Sequence, residues 1–213
     1  MKISLNLLET NSYIENQILQ SLVQQINPVL NKAANKTTVE IRKLLGEALR
    51  EEPEYSSLVG GQLRLEFGIP DVRAVDDMVN KLAQTANVSI AGVSIKGSSL
   101  SGGLTLTALE RSSMGGLVGD ASAVVVDSKG YSLPWLQWLL YEGNTSIVKN
   151  YEVKIGPSPY SRTGMAIMVD SDKNWRVPPA FAGTLNNNWV TRAIDRVSNN
   201  IPGILQNSFE SSI

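Results

Sequence analysis

The chain contains no cysteine and no histidine. The first absence excludes disulfides, zinc–thiolate sites and thiol nucleophiles. The second removes the commonest general base, the commonest transition-metal ligand and every Ser-His triad. Charge is also scarce: 18% of 213 residues are Asp, Glu, Lys or Arg, with a net charge of −1. No basic run exceeds two residues, which argues against a broad phosphate-binding surface. No apolar run reaches the roughly 18 residues of a membrane span. Met1 to Glu9 lacks the uninterrupted apolar core of a signal peptide. The expectation is a soluble product made in the cytoplasm, without membrane or sequence-specific nucleic-acid partners.

Hydrophobic residues make up 42% of the chain and aromatics only 6%. That suits one α+β domain spanning 1–213. Gly, Asn and Ser fill the place of charge, which fits either a loop-rich β protein or a surface covered by partners. The aromatics are unevenly spread, with all four tryptophans between Trp135 and Trp189. Large aromatics anchor cores and interfaces. The run Trp175-Arg176-Val177-Pro178-Pro179-Ala180-Phe181-Ala182-Gly183-Thr184 therefore reads as an organising joint, followed by a helix from Asn188.

In chain order, Ile14, Ile18, Leu19, Leu22, Val23, Ile26, Val29, Leu30 and Ala33 follow helical spacing behind a Ser12-x-x-Glu15 capping box. Pro28 predicts a kink or break near Gln25 to Asn27. Thr37-x-x-Glu40 reads as a second box, making about 12–50 one bent helix or two. Gln62 to Ile69 alternates as a half-buried strand does. Asp71 caps a short helix through Leu82. Strands follow at Val88–Ile95 and Leu104–Ala108, with Gly97 to Gly103 as their loop, and a buried strand at Val124–Val126. Asp127-Ser128-Lys129-Gly130 is a tight turn. Ser132 and Pro134 open a short helix that Gly143 ends. Strands at Asn150–Ile155 and Gly164–Val169 flank a Pro157–Gly164 loop. Val190, Ile194 and Val197 line the last helix, and 206–213 reads as a flexible or partner-bound tail. The expected architecture is N-terminal helices on a mainly antiparallel sheet, closed by a C-terminal helix.

Candidate chemistry is thin. Gly115-Gly116-Leu117-Val118-Gly119-Asp120 lacks the Lys-Ser/Thr of a P-loop. Asp170-x-Asp172-x-Asn174 imitates a calcium loop, but Trp175 and Phe181 stand where its glycine and bidentate acid belong, so a turn is expected. Glu51-Glu52-Pro53-Glu54 reads as a solvated acidic cluster. Arg162, between Ser161 and Thr163, suits an anion or, more simply, a neighbouring subunit. Trp135 and Trp138 share a helical face, for core packing ahead of an exposed interface. Glu142 beside aromatics is the one carboxylate placed as in a sugar-cleaving cleft, and carries the alternative of a hydrolase. No catalytic set, cofactor site or metal set emerges.

Three motifs in order resemble the tail-completion, or minor tail, family of tailed bacteriophages. They are Gly60-Gly61-Gln62-Leu63-Arg64 after the N-terminal helices, Leu139-Leu140-Tyr141-Glu142-Gly143-Asn144-Thr145, and Val177-Pro178-Pro179-Ala180-Phe181 entering the helix at Trp189. Each motif is short, and together they span about 12–200. Pro28 within the first helix and the long Asn144–Trp175 insertion depart from the family pattern. The resemblance implies a virion protein of the neck, made in the host cytoplasm: a homo-oligomeric ring, usually six-fold, between head connector and tail tube. A tail terminator or another neck adaptor is the neighbouring alternative. In such a ring the candidate interface residues are Trp135, Trp138, Glu142, Arg162, Phe181 and Trp189. The loops Gly97–Gly103, Arg111–Asp120 and Pro157–Gly164 are the candidate docking segments.

Overall fold

The computed structural model describes residues 10–108, 111–127 and 130–213, the side chains of 111–114 excepted. Met1–Glu9, on which the leader reading rests, and Ser128-Lys129 of the expected tight turn lie outside the described residues.

Residues Asn11–Glu51 form a single helix, α1, with Pro28 inside it. Its cap is Thr10 rather than Ser12: the Tyr13 N–H donates to the Thr10 carbonyl at 2.9 Å. Pro28 deprives the Gln24 carbonyl of its helical donor, yet the helix continues, and from Leu30 onward its Ala33, Ala34 and Thr37 are buried. Thr37 is therefore helix interior and opens no second helix. The neighbouring Thr38 hydroxyl instead bonds back to the Ala34 carbonyl at 2.8 Å and accepts the Val88 N–H at 3.2 Å.

Three short helices follow: α2 (Pro53–Gly60), α3 (Gln62–Phe67) and α4 (Arg73–Gln84). The alternation in α3 reads as a strand, and that expectation is overturned. Leu63 and Phe67 are one helical turn apart and both are buried. Gly68, at φ +65°, then ends the helix in the left-handed region. The Gly68 N–H reaches Leu65 and the Ile69 N–H reaches Arg64, the Schellman pattern of closure. In α4 the buried stripe is Val75, Met78, Val79 and Leu82, at helical spacing.

Strands β1 (Asn87–Lys96) and β2 (Ser99–Thr107) form an antiparallel hairpin around Gly97, which has φ +63°. The second strand begins at Ser99, so most of the expected Gly97–Gly103 loop is strand. The expected glycine loop after it is largely helical too, as α5 (Arg111–Val118) and a 3-10 turn at Ala121–Ala123. Asp120 caps that turn by accepting the Ser122 N–H. Then come β3 (Val125–Val126), β4 (Ser132–Leu133), α6 (Trp135–Tyr141), β5 (Tyr151–Ile155), β6 (Ala166–Asp170), α7 (Trp189–Ser198) and α8 (Ile201–Glu210). A capping box opens α7, with Asn188 and Thr191 bonding each other's backbone. The tail expected to be loose or partner-bound is helical to Glu210, and Ser208 and Ser212 are buried.

The α+β class is as expected, but the strands do not join one sheet. They pair as three two-stranded antiparallel sheets, β1-β2, β3-β4 and β5-β6. The residues cluster into two compact units. One compact unit comprises Met1–Glu40, Asn87–Thr107 and Pro202–Ile213, and the other comprises Ile41–Ala86 and Ala108–Ile201. The second holds most of the buried apolar side chains, including Phe67, Trp135, Leu139 and Trp189.

Candidate functional site

The chemistry-bearing residues concentrate in the second unit, around Phe67. Because Gly68 turns the chain sharply, Phe67 lies among three tryptophans, with ring centroids 6.4 Å from Trp135, 6.3 Å from Trp138 and 6.0 Å from Trp175. Trp138 and Trp175 meet edge-on at 5.7 Å. Such tilted and edge-to-face pairs each add about 0.5–1.5 kcal/mol beyond area burial. Two of the three indole N–H groups have hydrogen-bond partners. Trp135 donates to the Ser122 carbonyl at 3.0 Å and Trp175 to Glu66 Oε2 at 2.8 Å. The other Glu66 oxygen accepts from Gln62 at 2.5 Å.

Beside this cluster is a pocket of about 370 Å³, lined by Trp138, Trp175, Leu65, Val153 and Met168, with Glu66, Asp127 and Arg162 among its polar groups. Arg162 reaches it from the β5–β6 connection and donates from Nε to the Gly68 carbonyl at 3.3 Å. A Cβ on Gly68 would lie 2.6 Å from the Arg162 guanidinium. Glycine suits the positive φ there, and its missing Cβ leaves room for the flat approach of the arginine. The size and mixed lining suit an apolar or planar group with a polar edge. Glu66 has both oxygens engaged by neutral donors, Gln62 and the Trp175 indole.

A second polar cluster corrects a sequence expectation. Glu51-Glu52-Pro53-Glu54 is not uniformly solvated: Glu52 and Glu54 are buried. Arg192 on α7 pairs with Glu52 at 3.2 Å and with Glu54, and Arg196 bridges Glu51 at 2.8 Å and Glu52 at 2.7 Å. Burial works against the Arg192 charge, but the hydrogen bonds and charges of Glu54 and Glu52 outweigh it and hold its pKa above the ordinary value. Glu54 Oε2 has no hydrogen-bond partner. The cluster clamps α7 to the start of α2, a structural task, since both cations face carboxylates.

The six proposed interface residues divide. Trp135 and Trp189 are buried in the second unit, 0% and 1% exposed, so core packing takes them and leaves no surface for another chain. The Trp189 indole donates to the Leu49 carbonyl at 2.8 Å. That carbonyl lacks a helical donor because the residue four ahead is Pro53. Trp138 and Phe181 are half-buried, and Arg162 is exposed. Glu142 is half-buried, and its Oε1 accepts from Gln137 at 2.6 Å. It does not line the pocket described above. Its neighbour Gly143 passes so close to the Ala182-Gly183 turn that a Cβ would lie 2.6 Å from the Ala182 Cα.

Phe67, Glu66 and Gly68 were missed as site residues because their segment reads as a strand. The available signal was Gly68 itself, placed after Leu63 and Phe67 at helical spacing. The Asp170–Asn174 segment is a turn as expected, with Asn174 accepting the Asn150 N–H at 3.1 Å. Among the described residues no group of His, Cys, Asp or Glu could hold a metal, and no helix is long and apolar enough to cross a membrane. Comparison of the chain with protein families, curated proteins and solved structures finds no match.

Proposed function

We propose that this chain is a non-enzymatic structural subunit of a tailed-phage neck, a tail-completion or head–tail connector protein that assembles as a ring between head connector and tail tube. The observation that carries the reading is the convergence of the three motifs behind the family resemblance. Gly60–Arg64 leads through α3 to Phe67, which packs on Trp138 of α6. The Tyr141-Glu142-Gly143 segment ends α6, and Gly143 abuts the Ala182-Gly183 turn that follows Pro178-Pro179. Motifs far apart in sequence thus form the joints of one unit, as a shared scaffold requires.

The exposed apolar groups of the β5–β6 hairpin and its connection, Ile155, Tyr160, Met165 and Met168, suit partner contact. Ring closure requires a heterologous contact repeated around an axis. A tail terminator is the alternative within the same assembly. Electron microscopy of the purified protein, with mass spectrometry of purified virions, tests the proposal. The expected result is closed rings, six-fold by family analogy, and the chain among virion proteins. A strictly monomeric chain absent from virions sinks it.

A further inference from the structure

The hairpin β1–β2 has two long edges, and the structure treats them differently. On β1 the ladder is interrupted between Ala91 and Ser94. There the Val93 N–H donates to Asn27 Oδ1 at 2.7 Å, and Asn27 Nδ2 donates to the Val93 carbonyl at 3.1 Å. A carboxamide bound to both backbone groups of one residue supplies what a neighbouring strand would supply, so β1 is capped at its middle.

On β2 there is no counterpart. Among the described residues its sheet has only two strands, and nothing outside the hairpin hydrogen-bonds to Ser99–Thr107. No residue of β2 is charged, proline or buried. Natural edge strands are protected by charge, proline, bulges or cover. The bulge lies on β1, and β2 has none of these protections.

The sequence of β2 is also self-complementary. Laid antiparallel on itself about Gly103, it pairs Ser99 with Thr107, Leu100 with Leu106, Ser101 with Thr105 and Gly102 with Leu104, with Gly103 opposite Gly103. Every residue of the strand is used. Leucines meet on one face and hydroxyls on the other, the arrangement that stabilises cross-strand pairs. The leucine face continues the hairpin's own apolar face, where Leu106 lies across from Val88, Leu104 from Ile90 and Leu100 from Ile95. A one-residue slip sets leucines against hydroxyls and reverses the faces.

We propose that the free edge of β2 pairs with β2 of a second copy of this chain, about a two-fold axis at Gly103, to give a continuous β1-β2-β2-β1 sheet. The contact is isologous and closes no ring by itself. It therefore stands or fails independently of the neck reading.

Because the chain has no cysteine, single-cysteine variants test the register cleanly. A Cβ at Gly103 meets nothing within 4 Å, and its φ is not positive, so Gly103→Cys is accommodated. Under mild oxidation Gly103→Cys should form a disulfide-linked dimer on a non-reducing gel as its major product. The two 105 positions would be four residues apart along the paired strands, about 13 Å. That exceeds the roughly 7 Å Cα reach of a disulfide. Thr105→Cys alone should therefore stay unlinked, while an equimolar mixture of Ser101→Cys and Thr105→Cys should yield the mixed dimer. Circular dichroism checks the fold of each variant, and the mixture decides the question even if Gly103→Cys folds poorly. The proposal is overturned if correctly folded Gly103→Cys links no more than Thr105→Cys, or if the mixture yields no mixed dimer.

Discussion

The two units solve the burial problem in opposite ways. In the unit of Ile41–Ala86 and Ala108–Ile201, short helices enclose fully buried Phe67, Trp135, Leu139 and Trp189. In the unit of Met1–Glu40, Asn87–Thr107 and Pro202–Ile213, Val88 is the only buried residue of the twenty-one-residue hairpin, and Tyr13, Ile18 and Leu22 of its helix are exposed. The first unit named excludes water with side-chain volume. The second relies on backbone and amide hydrogen bonds, of which Asn27–Val93 is the clearest. Burial here follows aromatic content, since all four tryptophans belong to the denser unit.

The largest effect expected from this contrast is at Trp189. Trp189→Ala removes a 1% exposed indole and leaves the Leu49 carbonyl without its donor. A loss of about 3–5 kcal/mol is expected, as for other buried Trp-to-Ala changes. Trp189→Phe retains much of the volume and removes the donor, and should cost about 1–3 kcal/mol. Urea unfolding measures both. A change below about 1 kcal/mol for Trp189→Ala would falsify the assignment of Trp189 to a close-packed core.

A change in the thinner unit should be smaller and more local. Asn27→Ala leaves both backbone groups of Val93 without their partner, a loss of about 1–2 kcal/mol. Hydrogen exchange should accelerate about tenfold at Val93 and its neighbours on β1, since each 1.4 kcal/mol is a factor of ten. The same variant should leave exchange in α4 and α6 unchanged. Equal acceleration in those helices would show that the two units open together and would break the comparison.

How much of this was legible in the sequence depends on whether the decisive interactions were local. The amphipathic stripes of α4 and α7 and the β5–β6 hairpin were legible, because spacing and turn residues determine them within a few positions. The α3 helix was not: Leu63, Leu65 and Phe67 fit a strand as well as one helical turn over so short a segment. Tertiary packing of Phe67 against Trp138 and Trp175 settles it. Glu52 and Glu54 looked solvated because their partners, Arg192 and Arg196, are some 140 residues away in sequence. The beginning of β2 was hidden by Gly102 and Gly103, ordinarily loop residues. Gly102 is there for space, since a Cβ would lie 2.6 Å from the Val93 Cα across the bulge. Of the candidate site, Trp138 and Arg162 were identified in advance, and Phe67 and Glu66 were lost with the misread helix.

The smallest expected effect lies at the surface of the denser unit and asks whether polar ties matter there at all. The Asp120 carboxylate accepts from Lys81 at 2.6 Å and from the Ser122 N–H at 2.8 Å, joining α4 to the 3-10 turn. The Lys81 hydrogen bond, followed by that of Ser122, holds the Asp120 pKa below its ordinary 3.8. A carboxylate whose pKa is depressed by folding adds stability above its unfolded pKa and loses it as pH falls through the folded value. The tie is therefore fully present near neutrality and disappears below about pH 4, where the unfolded chain takes up the proton first. Asp120→Asn should lower Tm slightly at pH 6, and its difference from the parent should shrink steadily between pH 4 and pH 2. Both side chains remain partly open to solvent, so the effect should be far smaller than that of Trp189→Ala. A constant difference across that pH range would show that the ionised Asp120 carboxylate is not its source.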